Sequence, residues 1–185
     1  MRGERSTRPV IEFDGQTLNW IQPKLMQRYH ELAGGGKIFA TLKWQKIFGS
    51  LAVGTTSENS YSFKRAGFLH PHIIIRRLDF EDDIATMRMG FSGNGTLEFT
   101  NGSSYSFRRL GFWRQYWQFI DPNGKLVCTL HRKATIGRYR GEAVIEKDAK
   151  KLKEIALLAT LGWYVVVLLA EEAAAAGVAT GASSH

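Results

Sequence analysis

The chain has 185 residues, of which 44% are hydrophobic and 23% charged, and its formal net charge at pH 7 is +8. This length and composition suit one domain with one hydrophobic core. The single cysteine, Cys128, excludes an internal disulfide framework and fits a reducing compartment. The N-terminal sequence has no apolar stretch as long as a secretory signal needs. We therefore expect a cytoplasmic protein rather than a secreted one, with membrane association left open.

The excess of basic residues favours an anionic partner, either a phospholipid surface or a nucleic acid. A solvated basic surface that aids solubility explains the same charge equally well. No motif supports nucleic-acid binding. A basic nucleic-acid-binding domain therefore stays an alternative that rests on charge and aromatic content alone.

The beginning of the chain predicts an arm and a first pair of strands. Residues 1–9 are polar and basic, which is typical of a flexible arm. A single domain is expected over 10–172, followed by an Ala/Gly/Ser-rich tail over 173–185. Short alternating runs at 10–13 and 17–21 flank Asp14-Gly15, a dipeptide that favours a hairpin turn.

From Arg28 onward the sequence predicts short strands in hairpin pairs, about twelve strands in all. The clearest turn is the Asp-Pro-Asn-Gly sequence at 121–124. The pairs are 28–32 with 37–44, 50–54 with 61–65, 73–77 with 84–89, 96–100 with 103–109, 116–120 with 125–131, and 134–140 with 142–145.

A short segment occurs twice, as SYSFKRAGF at 60–68 and as SYSFRRLGF at 104–112. The similarity extends to the residues before each copy, so a unit of two hairpins is used twice. A closed antiparallel barrel accommodates two such units, because closure removes exposed sheet edges.

Residues 155–170 contain no charge and predict a helix without a polar face, within a helical segment at 149–172. Such a helix must be surrounded by protein or by lipid. The run is short for a bilayer span, which needs about 20 apolar residues, and Glu171 and Glu172 interrupt its extension. We therefore expect a protein-buried helix. A single-pass tail-anchored protein with a soluble β domain is the alternative.

The predicted barrel and the predicted apolar helix complement each other. A barrel of about twelve strands has an interior too wide for its own side chains to fill. A helix about 10 Å across fits such an interior. The predicted fold is mainly β with one C-terminal helix: a closed antiparallel barrel of about twelve strands around a central hydrophobic helix.

This order of elements resembles the Tubby C-terminal-like superfamily, which includes Tubby, the phospholipid scramblases and the LURP-one-related proteins. The resemblance covers about residues 28–172 and rests on WQFIDPNGKLVCTLHRK and on the ending KDAKKLKEIALLATLGWYVVVLLAEE. It implies a Tubby-like barrel and, as a general capacity of that fold, phosphoinositide recognition. The chain lacks the cysteine cluster and the calcium-loop-like acidic segment of the scramblases, so the resemblance carries over no binding residue.

Basic pairs at strand ends form a candidate anionic-lipid patch, because each charge near an acidic leaflet contributes about 1 kcal/mol. Edge charges that prevent strand aggregation are the competing explanation. Three neighbouring aromatics are candidates for insertion into a membrane interface, although barrel core explains them as well. The candidate patch is Lys64, Arg65, Arg76, Arg77, Arg108, Arg109, Arg132 and Lys133, and the aromatics are Phe68, Phe112 and Trp113.

The sequence contains no catalytic constellation, so we expect neither an enzyme nor a cofactor site. His70 and His72 lack a third ligand at a suitable spacing, and the acids at 79–83 lack the pattern of a calcium loop. We expect no metal site. The predicted function is a non-enzymatic domain that binds anionic phospholipid or a protein partner.

Overall fold

A computed structural model describes residues 6–25, 27–80, 82–90, 92–111, 115–135 and 137–181. Within these residues the chain forms a succession of strands followed by one long helix, α1 (Ile155–Gly181). The strands are β1 (Thr17–Ile21), β2 (Tyr29–Gly34), β3 (Lys37–Trp44), β4 (Ala52–Thr56), β5 (Ser60–Ala66), β6 (His72–Arg77), β7 (Asp83–Met89), β8 (Gly95–Phe99), β9 (Ser104–Leu110), β10 (Tyr116–Ile120), β11 (Leu126–Lys133) and β12 (Arg140–Ile145).

The strands form a closed barrel in which each strand pairs antiparallel with the strands before and after it in sequence. β1 closes the barrel because it pairs with β2 on one side and with β12 on the other. In its register Thr17 lies opposite Val144, and Ile21 lies opposite Glu31. The prediction of a closed antiparallel barrel of about twelve strands is confirmed.

Period-two alternation and turn chemistry explain the local structure. Tyr61 and Phe63 of β5 are buried, whereas Lys64, which follows Phe63, is exposed. The predicted hairpin at 121–124 joins β10 and β11, and its Asp121 carboxylate accepts hydrogen bonds from the backbone N–H groups of Asn123 and Lys125. Gly124 has φ +80°, which a residue with a side chain rarely adopts.

Helix α1 runs through the barrel and forms its core, as predicted. Its residues 155–168 are buried on every side. Trp163 stacks on Trp20 of β1 at a ring-centroid distance of 5.7 Å. The preceding residue, Gly162, faces Leu130 of β11 so closely that an added Cβ would clash.

The segment Ile155–Gly177 is long and apolar enough to cross a membrane, with a mean hydropathy of 1.7 in its most apolar window, but 72% of that window is buried inside the protein. In this structure the barrel wall therefore takes the place that lipid has around a membrane span.

Two predicted strands are wrong. Residues 10–13 do not form a strand before a hairpin at Asp14-Gly15, since Val10–Glu12 is a short 3-10 helix after Pro9. The described residues between β11 and β12, 134–135 and 137–139, form no strand, since Gly137 turns the chain at φ +74° and the Tyr139 N–H donates to the Gln22 side chain instead of to a strand. The number of strands is still twelve because β1 completes the barrel.

The helix begins and ends later than predicted. Asp148–Lys151 form a separate 3-10 helix, held by two hydrogen bonds of 2.6 Å from Lys150 Nζ to the carbonyls of Phe13 and Gly15. At the other end the alanine-rich sequence continues the helix to Gly181, because alanine has the highest helix propensity. Most of the predicted tail is therefore helical, and its residues 182–185, like 1–5 of the predicted arm, lie outside the described residues.

Candidate functional site

The barrel has two chemically different ends. Because successive strands are antiparallel, the connections that follow β1, β3, β5, β7, β9 and β11 all lie at the same end. The helix leaves the barrel here, since Glu171 binds Arg28, which precedes β2, and Glu172 binds Arg65 at the end of β5. We call this the exit end. The helix begins at the opposite end, beside the 3-10 helix Asp148–Lys151.

The structure places most of the predicted basic patch at the exit end. Lys64 and Arg65 are near the end of β5, Arg108 and Arg109 are near the end of β9, and the third pair, Arg132 and Lys133, ends β11. These strands run in the same direction but are separated around the barrel, so the pairs form a rim rather than one compact cluster. The fourth pair, Arg76 and Arg77, does not join them, because β6 runs the other way and ends at the opposite end.

Within each pair the two side chains point to opposite faces of the wall, since strand residues alternate. Lys64, Arg108 and Lys133 are exposed on the outer face. Lys133 contacts Glu142 of β12 at 2.5 Å, and this hydrogen bond lowers the pKa of the Glu142 carboxyl group. The candidate surface charges of the rim are therefore Lys64 and Arg108 above all.

The inward-facing arginines contact the helix and the barrel interior. Arg65 pairs with Glu172 of the helix, and Arg109 lies over the ring of Trp117 at 5.7 Å. Arg132 donates from Nε to the Gln115 side chain at 3.2 Å. These contacts give the inward arginines a structural role at the helix exit that sequence inspection did not predict.

Arg28 is a further basic residue at this end that the sequence did not single out. Its Nη2 donates to Glu171 Oε2 at 2.6 Å, and its guanidinium group lies over the ring of Trp44 at 4.8 Å. Burial raises the pKa of the Glu171 carboxyl group, whereas the charge of Arg28 and their hydrogen bond oppose this rise. The carboxylate at the end of the buried helical run is thus paired with a cation of the barrel wall.

Large apolar side chains protrude at the exit end. Phe68, a predicted interfacial aromatic, is 98% exposed beside the exposed Leu69. Phe112 and Trp113, the other two, lie outside the described residues. Ile47 and Phe48, which follow β3, are 79% and 86% exposed, and Leu25, which follows β1, is also exposed. The sequence prediction missed these, although an apolar pair in a connection where polar residues are usual was a signal.

The acidic residues of the connections are segregated from these apolar tips. No Asp or Glu occurs in the connecting sequences 22–28, 45–51, 67–71, 90–94, 111–115 and 134–139 of the exit end. Acids are frequent instead in the connecting sequences of the opposite end, namely Glu58, Asp79, Glu81, Asp82, Asp121, Glu146, Asp148 and Glu154. The exit end therefore presents basic and apolar groups without acidic neighbours in its loops.

The described residues also form cavities and include side chains that could bind a metal ion, but these do not form a basic and apolar surface like that of the exit end. A cavity of about 200 Å³ lies beside the helix at the exit end, between Arg65, Phe68 and Glu172. A larger one of about 630 Å³ at the opposite end has both acidic and basic walls, including Glu58, Arg77 and Lys151. Among the residues that the structure describes, no three His, Cys, Asp or Glu residues are arranged to hold a metal ion.

Comparison of the chain with protein-family models, with curated proteins and with solved structures finds no match. The Tubby-like resemblance, which rests on the order of elements, therefore stays a prediction.

Proposed function

We propose that this is a non-enzymatic domain that binds the surface of anionic phospholipid bilayers through its exit end. The observation that carries this proposal is the unequal distribution of acidic residues between the two ends of the barrel. Basic and apolar side chains lie at the exit end in loops without acids, whereas the connections of the opposite end combine acids with lysines such as Lys151 and Lys153. A protein with this arrangement approaches a negative surface with the exit end first.

The magnitudes favour a reversible, salt-sensitive attachment. Each exposed basic residue near an anionic leaflet contributes about 1 kcal/mol, and the interaction decays over a Debye length of about 8 Å at physiological ionic strength. Lys46, Lys64 and Arg108 are exposed at this end and are the outward-facing charges that we assign to headgroup contact. Phe68 extends beyond the rim, where its ring fits the boundary between headgroups and acyl chains.

Flotation with liposomes tests the proposal. The variant Lys46→Glu/Lys64→Glu/Arg108→Glu reverses three charges at the exit end. Its matched control, Lys37→Glu/Lys151→Glu/Lys153→Glu, reverses three exposed lysines at the opposite end and changes the net charge equally. We expect the wild-type chain and the control to float with phosphatidylserine-containing liposomes, and the exit-end variant to stay in the soluble fraction.

Two results would contradict the proposal. Equal losses in both variants would show that net charge alone drives the association. If the wild-type chain does not float with anionic liposomes at low salt, the exit end serves another kind of partner, and a protein or nucleic acid becomes the better candidate for its basic rim.

A further inference from the structure

The connection between β3 and β4, residues 45–51, has an unusual combination of an exposed apolar tip and a rigid base. Ile47 and Phe48 at its tip are among the most exposed large apolar side chains that the structure describes. Apolar surface in water is unfavourable, at about 25 cal/mol for each Å². A single exposed apolar residue needs no explanation, but two adjacent ones on a connection held in one conformation form a specific feature.

Arg28 holds the base of this connection. Its Nη1 donates to the carbonyl oxygens of Lys46 at 3.3 Å, Ile47 at 3.1 Å and Gly49 at 3.0 Å. The other nitrogen of the same guanidinium group, Nη2, binds Glu171 of the helix. Because one planar group spans the loop and the helix, the tip is fixed relative to the core of the barrel.

The end of the connection is fastened as well. The hydroxyl group of Tyr164, on the buried part of the helix, donates to the Ser50 carbonyl at 2.7 Å. Ser50 Oγ donates to the Arg65 carbonyl at 3.3 Å, which joins this loop to the strand that carries the Phe68 tip. The Ile47-Phe48 tip and the Phe68-Leu69 tip thus project from one braced framework.

From these contacts we infer that the β3–β4 connection is a preformed anchor that enters the boundary between headgroups and acyl chains of an anionic bilayer, and that Arg28 is its positioning residue. The inference rests on the proposed function and adds the inserting element to it. Holding the loop in place before binding lowers the conformational entropy that insertion would otherwise lose.

The charges and the shape of the exit end favour a bilayer as the occupant. Lys46 precedes the apolar tip, and the connection contains no acid, so an anionic headgroup can lie beside it. The exposed apolar tips lie on separate connections, after β1, β3 and β5, whereas a bound peptide would need one continuous apolar groove. A fluid, planar surface can surround several separate tips at once.

A fluorescent label at single positions tests insertion. In Phe48→Cys the label is placed at the proposed anchor, and in Phe80→Cys it is placed on a connection of the opposite end, where Phe80 is 63% exposed. Cys128 is buried, and burial raises the pKa of its thiol to about 12, so an environment-sensitive maleimide dye reacts with the introduced cysteine. The bound fraction is measured by flotation of the same samples.

With phosphatidylserine-containing liposomes we expect a blue shift at position 48 and quenching by lipids brominated in the acyl chain, with neither effect at position 80. If the labelled protein floats but the dye at position 48 keeps the emission it has in water, the assignment of the β3–β4 connection as an anchor is wrong, while the proposed function stands. If no protein floats, the proposed function fails and the anchor fails with it.

Surface variants give a second test that does not depend on labelling. Phe48→Ser should weaken liposome binding about tenfold, because a Phe side chain is no longer transferred from water. Phe80→Ser removes the same apolar group at the opposite end and should leave binding unchanged. Equal binding of both variants and the wild-type chain would overturn the anchor.

Arg28→Lys tests the positioning role, because lysine keeps the charge but cannot span the loop carbonyls and Glu171 together. With this substitution we expect the label at position 48 to lose most of its quenching, while a label in Phe68→Cys on the neighbouring loop keeps it. Equal losses at both positions would indicate general destabilisation and would overturn the assignment of Arg28.

Discussion

At the scale of single residues, the barrel core contains one polar contact whose consequences can be measured. His30 of β2 is almost completely buried, and its Nδ1 accepts a hydrogen bond of 3.0 Å from Trp163 Nε1 in the centre of the helix. The acceptor role of Nδ1 requires a neutral ring with its proton on Nε2. The burial of His30, and secondly the charge of Arg28, lower the pKa of its imidazole from 6.5 to about 3.

This pKa shift predicts a loss of stability in acid. The unfolded chain binds a proton at His30 below about pH 6.5, whereas the folded chain does not until about pH 3. The contribution of His30 to the free energy of unfolding should therefore be constant above pH 6.5 and fall below it with a limiting slope of about 1.4 kcal/mol for each pH unit. Urea unfolding of the wild-type chain between pH 7.5 and pH 5 measures this slope.

The variant His30→Gln isolates the contribution of the histidine. Glutamine keeps a hydrogen-bond acceptor for Trp163 but does not titrate. We expect the variant to be less stable at pH 7.5 and its stability to vary less between pH 7.5 and pH 5. Parallel curves for the two proteins would show that His30 is not the group that takes up the proton.

At the scale of elements, the sequence repeat has a clear structural meaning. Tyr61, Phe63 and Arg65 of β5 have the same inward-facing pattern as Tyr105, Phe107 and Arg109 of β9. Each copy thus supplies a tyrosine near the start of the helix, a phenylalanine at its middle and an arginine at its exit. The repeat serves the packing around α1 at two places on the wall.

The hairpins could be predicted because their turn residues and alternation are local signals. The predicted strand at 134–140 failed because the bond from Tyr139 to Gln22 depends on a partner distant in sequence, although Gly137, with φ +74°, was a local signal for a turn. The role of β1 could not be predicted for the same reason, since its partners are β2 and the distant β12. The sequence thus predicted the pairing of strands that are neighbours in the chain, but not which strands pair to close the barrel.

The close approach of the wall to the helix gives a prediction for β12. A Cβ at Gly141 would clash with the ring of Trp163 and with the backbone oxygen of His131. We expect Gly141→Ala to lower the free energy of unfolding by about 1–3 kcal/mol, because the backbone cannot move away in a closed barrel. Thermal unfolding and urea unfolding both measure this change.

The exposed end of the same helix provides the control. A Cβ at Gly177 would have no neighbouring atom within 4 Å outside the local helix backbone. Alanine is about 1 kcal/mol more favourable than glycine inside a helix, so Gly177→Ala should leave stability unchanged or raise it. If Gly141→Ala is as stable as Gly177→Ala, the packing between β12 and Trp163 is looser than the structure indicates.

At the scale of the whole molecule, the barrel and the helix form one core with two unlike ends. The predicted basic pairs were visible in the sequence, but their distribution between the two ends was not, because it depends on the direction of each strand. Lys64 and Arg108 gather at the exit end, whereas Arg76 lies at the opposite end for that reason alone. The role of Arg28 also required the structure, since Glu171 is far from it in sequence.

The alternative of a tail-anchored membrane protein requires a different arrangement of the barrel and the helix. It requires the helix to leave the barrel and enter lipid, which would expose an interior lined by Trp20, Phe39 and Phe63. A barrel of about twelve strands cannot fill such an interior with its own side chains. The barrel should therefore not persist as a soluble domain without its helix.

Expression of residues 1–146, which lack the helix, beside the full chain tests this dependence without detergent. We expect the full chain to be soluble and to unfold cooperatively, and the shortened chain to aggregate because the interior is open to water.

A chain of residues 1–172 is the matched control, because it loses the exposed extension but keeps the buried part of α1 and both glutamates that bind Arg28 and Arg65. Its unfolding midpoint should stay close to that of the full chain. If residues 1–146 are soluble and unfold cooperatively while the full chain needs detergent, the helix is an anchor in lipid and the barrel closes without it.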